Sequence, residues 1–389
     1  MSVGNTPRSR PVLRVSSFAC LLLICMLCQS MAADPGVQRQ GKYVRASVDF
    51  VRGYELYQQQ NYKEALVYLR QAAKDADPWA LCLLTDMYLS GTGVEQDYAQ
   101  AFGNAKLAAS QKYYPGIYRL GLCFENGYGI EKDIEQAITN YIRAAREGLT
   151  EAQMALGRIY FEGAGVEQDY KEAAKWFERA ALRVPYKGQT DTELINQAQF
   201  NLGMLYLQGL GVKRKPSEAL RLFELSASAG NAKASHYAGE MYLDGSLADL
   251  DTAKALELLK QGFEGGYSYS AYRIGQVFMY GEGIDPDPAE AAKWFSQAAQ
   301  AGVAEAEFAL GAMYLAGNGV DKDIDQAVTL IKQSAEMEYL PALYALGRLH
   351  QQGVGVEKDI EKAAEYFRKA AEHGYEPAVQ ALSELEEKK

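Results

Sequence analysis

The chain has 389 residues, 48% hydrophobic and 23% charged, with 36 Gly and 11 Pro. That composition excludes a disordered or low-complexity protein. A net charge of −10 argues against nucleic acid and anionic membrane surfaces as partners, since both repel an acidic chain.

Arg8, Arg10 and Arg14 precede an almost wholly apolar run, Ser17 to Cys28, and Ser30 and Ala32 follow as small residues. The pattern predicts a signal peptide over 1–32, cut between Ala32 and Ala33, and hence a periplasmic or secreted protein. An uncleaved signal anchor is the alternative, although the apolar run is short for a membrane span. Cys82 and Cys123 lie beyond the cut. They read as buried free thiols: packed helices sit about 8–10 Å apart, whereas a disulfide needs Cα atoms within about 7 Å.

Residues 33–43 read as a polar leader, and a repeat then begins. The Leu156 position recurs as Leu84, Leu120, Leu202, Ala238, Ile274, Leu310, Leu346 and Leu382. Every step is 36 residues except one of 46. The following position is glycine from Gly121 through Gly157, Gly203, Gly239, Gly275 and Gly311 to Gly347. A residue without a side chain lets a second helix approach there. An aromatic column runs from Tyr88 to Tyr314 and ends on His350, and an alanine column runs from Ala101 to Ala363 on the second helices.

Six turns read G-x-G-[V/I]-x-x-D, ending at Asp97, Asp133, Asp169, Asp287, Asp323 and Asp359. The first Gly supplies the positive φ that ends one helix, and the Asp caps the next. Gln100, Gln136, Glu172, Glu290 and Gln326 stand where a capping box closes.

Residues 44–78 have a shorter turn and resemble a tetratricopeptide repeat. The hairpins over 79–375 resemble eight Sel1-like repeats. Residues 376–389 read as a C-terminal capping helix. The resemblance implies an all-α, right-handed superhelical α-solenoid that serves mainly as an adaptor. Three irregularities cluster at mid-chain: an insertion near 183–192, the basic run Lys213-Arg214-Lys215, and a hairpin with Ala238, Leu247 and Phe263 in place of the usual residues. They mark either a drifted repeat or a hinge or partner epitope.

Catalytic and metal motifs are weak. His236, His350 and His373 show no i, i+4 pair, so no metal is expected. Asp321, Asp323 and Asp325 match only the start of a calcium loop, because Gln326 replaces its glycine. The G-x-G joins helix to helix, which is not a dinucleotide site. Neither a catalytic residue nor a cofactor is expected.

In the tetratricopeptide geometry, the inner wall is lined by residues two before the Leu column and two and five after it. This resemblance places Tyr118, Met154, Arg158, Phe161, Phe200, His236, Tyr272, Phe308, Tyr344 and Arg348 on a concave partner-binding face. The rings either pack between successive first helices or form a groove for a peptide, a helix or a glycan, with Arg158 and Arg348 placed to hold carboxylates. The expectation is a non-enzymatic scaffold for protein partners, with envelope assembly and exopolysaccharide secretion among the roles the resemblance raises. Two alternatives stand beside it. One is direct polysaccharide binding. The other is the penicillin binding or hydrolysis associated with secreted relatives, which are cysteine-paired in nearly every repeat.

Overall fold

The helical period of apolar positions is interrupted at each G-x-G turn, and the backbone follows it. A computed structural model describes residues 36–39, 42–182, 192–245 and 250–386. The signal-peptide residues, most of the 183–192 insertion and Leu247 lie outside the described residues.

A two-stranded antiparallel hairpin comes first, β1 (Gly36–Arg39) and β2 (Lys42–Arg45), with Val37 opposite Val44. The polar leader expected there thus contains extended segments, which suit its β-branched pair. The helices follow as α1 (Val48–Gln58), α2 (Tyr62–Lys74), α3 (Pro78–Ser90), α4 (Tyr98–Ser110), α5 (Tyr114–Asn126), α6 (Ile134–Arg146), α7 (Thr150–Glu162) and α8 (Tyr170–Leu182). Beyond the insertion come α9 (Thr192–Gln208), α10 (Pro216–Ser228), α11 (Ala232–Asp244), α12 (Thr252–Glu264), α13 (Tyr269–Tyr280) and α14 (Pro288–Gln300). The last are α15 (Ala304–Ala316), α16 (Ile324–Glu336), α17 (Leu340–Gln352), α18 (Ile360–Glu372) and α19 (Glu376–Glu386). The array is an all-α solenoid of hairpins, each helix packed mainly on its sequence neighbours. It divides into two compact units. One ends at Ala198 and includes Leu210–Val212; the other holds Gln199–Gly209 and the chain from Lys213 onward.

The glycine column does what its position predicts. A Cβ on Gly121 would stand 2.7 Å from the Tyr141 ring, and one on Gly203 would stand 2.6 Å from the Phe223 ring. On Gly157 it would enter the Phe177 ring. The large side chain of the second helix therefore fills the notch and is itself buried. Burying such a ring contributes about 1.5–3 kcal/mol.

The turns depart from expectation in one detail. From α3 to α17 the first helices close on a left-handed glycine, as at Gly127 (φ 75°), and where the turn ends in Asp its side chain accepts from the third helical N–H, as Asp133 does from Gln136 at 2.9 Å. The return half of the capping box is replaced. The Asp133 N–H donates to the Phe124 carbonyl at 2.9 Å, and that of Asp323 donates to the Tyr314 carbonyl at 3.1 Å. The aromatic column thus supplies the acceptor through its backbone, which frees Glu172 and Glu290 to pair with Lys175 and Lys293 instead. The second glycine of the turn serves the joint between repeats: a Cβ on Gly129 would collide with the Tyr98 carbonyl of the preceding hairpin.

At mid-chain the basic run is absorbed into the turn. Lys215 has no capping side chain, yet its N–H donates to the Tyr206 carbonyl at 2.9 Å. Arg214 donates to the Leu207 carbonyl at 3.1 Å. Cys82 and Cys123 are buried free thiols, and burial pushes both up to about 12.

Candidate functional site: the first-helix wall

The residues two before the Leu column have a shared packing rule. Tyr118, Phe200, Tyr272 and Tyr344 lie back on a ring of the second helix of their own hairpin, and His236, Phe308 and Tyr344 lie forward on the tyrosine that opens the next hairpin. Tyr118 meets Tyr141 at 5.5 Å between ring centroids, Tyr272 meets Phe295 at 5.7 Å, and Tyr344 meets Phe367 at 5.5 Å. Forward contacts join His236 to Tyr267 at 4.9 Å, Phe308 to Tyr339 at 5.6 Å and Tyr344 to Tyr375 at 5.8 Å.

In the first unit this closes most of the expected groove. Tyr118 is 8% exposed, and Phe161 is half-buried with its ring edge-on to Tyr170. Met154 is half-buried. Arg158 does not await a ligand: it pairs with Glu125, and with Glu162 at 3.3 Å. The Tyr141 hydroxyl donates to Glu125 at 2.6 Å. Burial opposes the Arg158 charge, but Glu125 and Glu162 outweigh it and hold the guanidinium above its ordinary value. Tyr141 is raised by burial and then by the Glu125 charge. One repeat earlier, Arg119 donates to both Asp86 oxygens, at 2.8 and 2.5 Å, and both side chains are buried.

In the second unit Phe200 is 2% exposed, between Phe223 and Tyr237, so it too offers no surface. His236 is half-buried, with Nδ1 3.2 Å from the Ser270 hydroxyl. Burial and then the Arg273 charge push His236 down to about 4, so it is neutral at pH 7. Tyr272, Phe308, Tyr344 and Arg348 are half-buried. Gln276 donates to the Tyr272 hydroxyl at 3.0 Å. Phe308 and Leu315 of α15, Tyr344 of α17, and Tyr339 and Tyr375 at the joints before α17 and α19 share one cluster. Burial, then Tyr272 and Glu305, raises Tyr339, so its phenol stays a neutral donor.

Two kinds of residue escaped the column reading. Tyr267, Tyr339 and Tyr375 enter the wall from the joints, seven before the Leu column. Arg119 and Arg273 stand one before it. Each Arg meets an acid 33 residues upstream, Asp86 or Glu240, and Arg158 meets Glu125 at the same separation. A search of the sequence for acid–Arg pairs just short of one repeat would have found them. Among the described residues, no group of three or more His, Cys, Asp or Glu side chains could hold a metal, and no helix is long and apolar enough to cross a membrane.

The family profile described as "Sel1 repeat" matches residues 52–77, 79–113, 115–149, 150–183, 196–231, 232–267, 268–303, 304–339 and 340–375. The first match falls on the hairpin likened above to a tetratricopeptide repeat. Among solved structures, a Sel1 repeat protein from Oxalobacter formigenes is 24% identical, with a TM-score of 0.68 over 92% of this chain and 99% of that one. The protein c5321, a protective antigen of uropathogenic Escherichia coli, is 25% identical over 95% of this chain and 91% of its own, with a TM-score of 0.40. A Sel1 repeat protein from Klebsiella pneumoniae is 24% identical over 50% of this chain and 91% of its own, with a TM-score of 0.35. No curated protein matches the sequence.

Proposed function

The chain belongs to the Sel1 repeat family, and from that premise we propose that it is a non-enzymatic scaffold whose second-unit first-helix wall binds protein. Sel1 repeat proteins generally act as protein-interaction scaffolds, so the class follows from the family and the surface is our assignment. The observation that carries it is the half-buried band of Tyr272, Met279, Phe308, Leu315, Tyr344 and Gln351, two residues from each of three successive first helices. Rings held in place by packing lose little entropy on binding, which suits them as anchors. The arginines and apolar run before Ala33 support export, so the scaffold works in the periplasm or outside the cell, where envelope assembly and polysaccharide secretion offer protein partners.

The test keeps the packed rings and changes the rim. Full-length protein and a Met279→Lys, Gln351→Lys variant are used to capture partners from envelope extract, which are then identified by mass spectrometry. Selective loss of the wild-type partners, with circular dichroism unchanged, is expected; an identical partner set would sink the assignment of the wall. Cell fractionation with N-terminal sequencing checks export, with Ala33 as the expected first residue.

A further inference from the structure

Arg158 and Arg348 occupy the same position in two different repeats, two residues after Leu156 and Leu346. Around Arg158 the chain supplies Glu125 and Glu162, with the Tyr141 hydroxyl donating to Glu125 at 2.6 Å. The equivalent positions around Arg348 hold Leu315, Gln352 and Ile331. Both acids and the phenol that orients one of them are thus gone together. Among the described residues no carboxylate lies within ion-pair distance of Arg348, which donates to the neutral Gln351 side chain at 3.0 Å. A half-buried guanidinium gives up part of its hydration, and an amide oxygen does not balance the charge.

We propose that Arg348 is the anion subsite of the second-unit wall, and that it takes the carboxylate of an Asp or Glu side chain on an extended partner segment. This rests on the reading that the wall binds protein. The ligand carboxylate supplies the charge that Glu125 supplies to Arg158, through a two-pronged N–H···O contact for which the planar guanidinium is suited. Beside it, Phe308, Leu315 and Tyr344 lie half-buried in one cluster and receive an apolar neighbour of the acidic residue. That apolar shelf favours a peptide over a free phosphate, which has nothing to lay on it.

A phage-displayed library of linear heptapeptides is selected on the full-length protein. The expected binders carry Asp or Glu next to an aliphatic or aromatic residue. Arg348→Gln should weaken a selected peptide by about tenfold or more. Leu315→Glu with Gln352→Glu rebuilds the Arg158 surroundings and should weaken it comparably while leaving the melting temperature unchanged or higher. Arg348→Glu should shift the selected peptides toward Lys and Arg. Acidic binders indifferent to Arg348, or binders without acid enrichment, overturn this inference and leave the protein-binding wall standing. A library that yields no binder overturns both. An oligouronate or inorganic phosphate that binds through Arg348 when the acidic peptides do not would overturn the peptide assignment.

Discussion

The first helices of the two units follow one repeat frame and differ in how far along it their charges are paired within the chain. In α3, α5 and α7 the charges are settled within the chain: Arg119 is locked on Asp86, and Arg158 on Glu125 and Glu162. In α13 Arg273 is likewise held, by Glu240 and Glu282, but α15 carries Ala312 and Leu315 in the columns of Arg158 and Glu125, and among the described residues Arg348 of α17 faces no acid. The first region spends its variable columns on joining repeats, and the last hairpins of the second leave theirs available. Divergence within an array can therefore separate structural from binding repeats without altering the hairpin.

The largest expected effect breaks the internally paired region. Asp86→Ala strands the buried Arg119 charge and should cost about 3–5 kcal/mol in urea unfolding. Acid should next find the second unit. His236 is held below its unfolded value, to about 4, so the unfolded chain takes up the proton first. Its contribution is complete above about pH 6.5 and is lost as the pH falls toward 4, amounting to about 2–3 kcal/mol. His236→Gln should flatten that part of the stability–pH curve, and an unchanged slope would assign the loss to other groups. A third change checks that the frame is common to both units: Asp133→Ala and Asp323→Ala each remove one equivalent cap and should each cost about 1 kcal/mol. Unequal losses would break the comparison at its premise. The smallest effect is the sharpest contrast. Arg348→Ala should change stability by no more than about 0.5 kcal/mol, whereas Arg158→Ala should cost several times more because it strands Glu125.

Much of the fold was readable in the residues. The Gly157 notch, the Asp133 and Asp323 caps and the turn glycines are local requirements repeated in one register, so each copy corroborates the others. The capping box was legible only in half, because the carbonyl that replaces its return bond lies across the turn, on the Phe124 and Tyr314 backbones. The candidate wall was legible as a set of columns and not as a surface. Tyr118 and Phe200 share a column with Tyr272 and Tyr344 yet are buried, since their exposure depends on the neighbouring repeats.

The sequence by itself determined the hairpin, its period, its caps and the number of copies, because helix periodicity, positive φ and capping act within a few residues of one another. Only the tertiary structure decided which columns are used up in packing and which arginine keeps an unanswered charge. Those outcomes depend on side chains about one repeat apart, where Glu125 or Leu315 determines what stands beside an otherwise identical Arg.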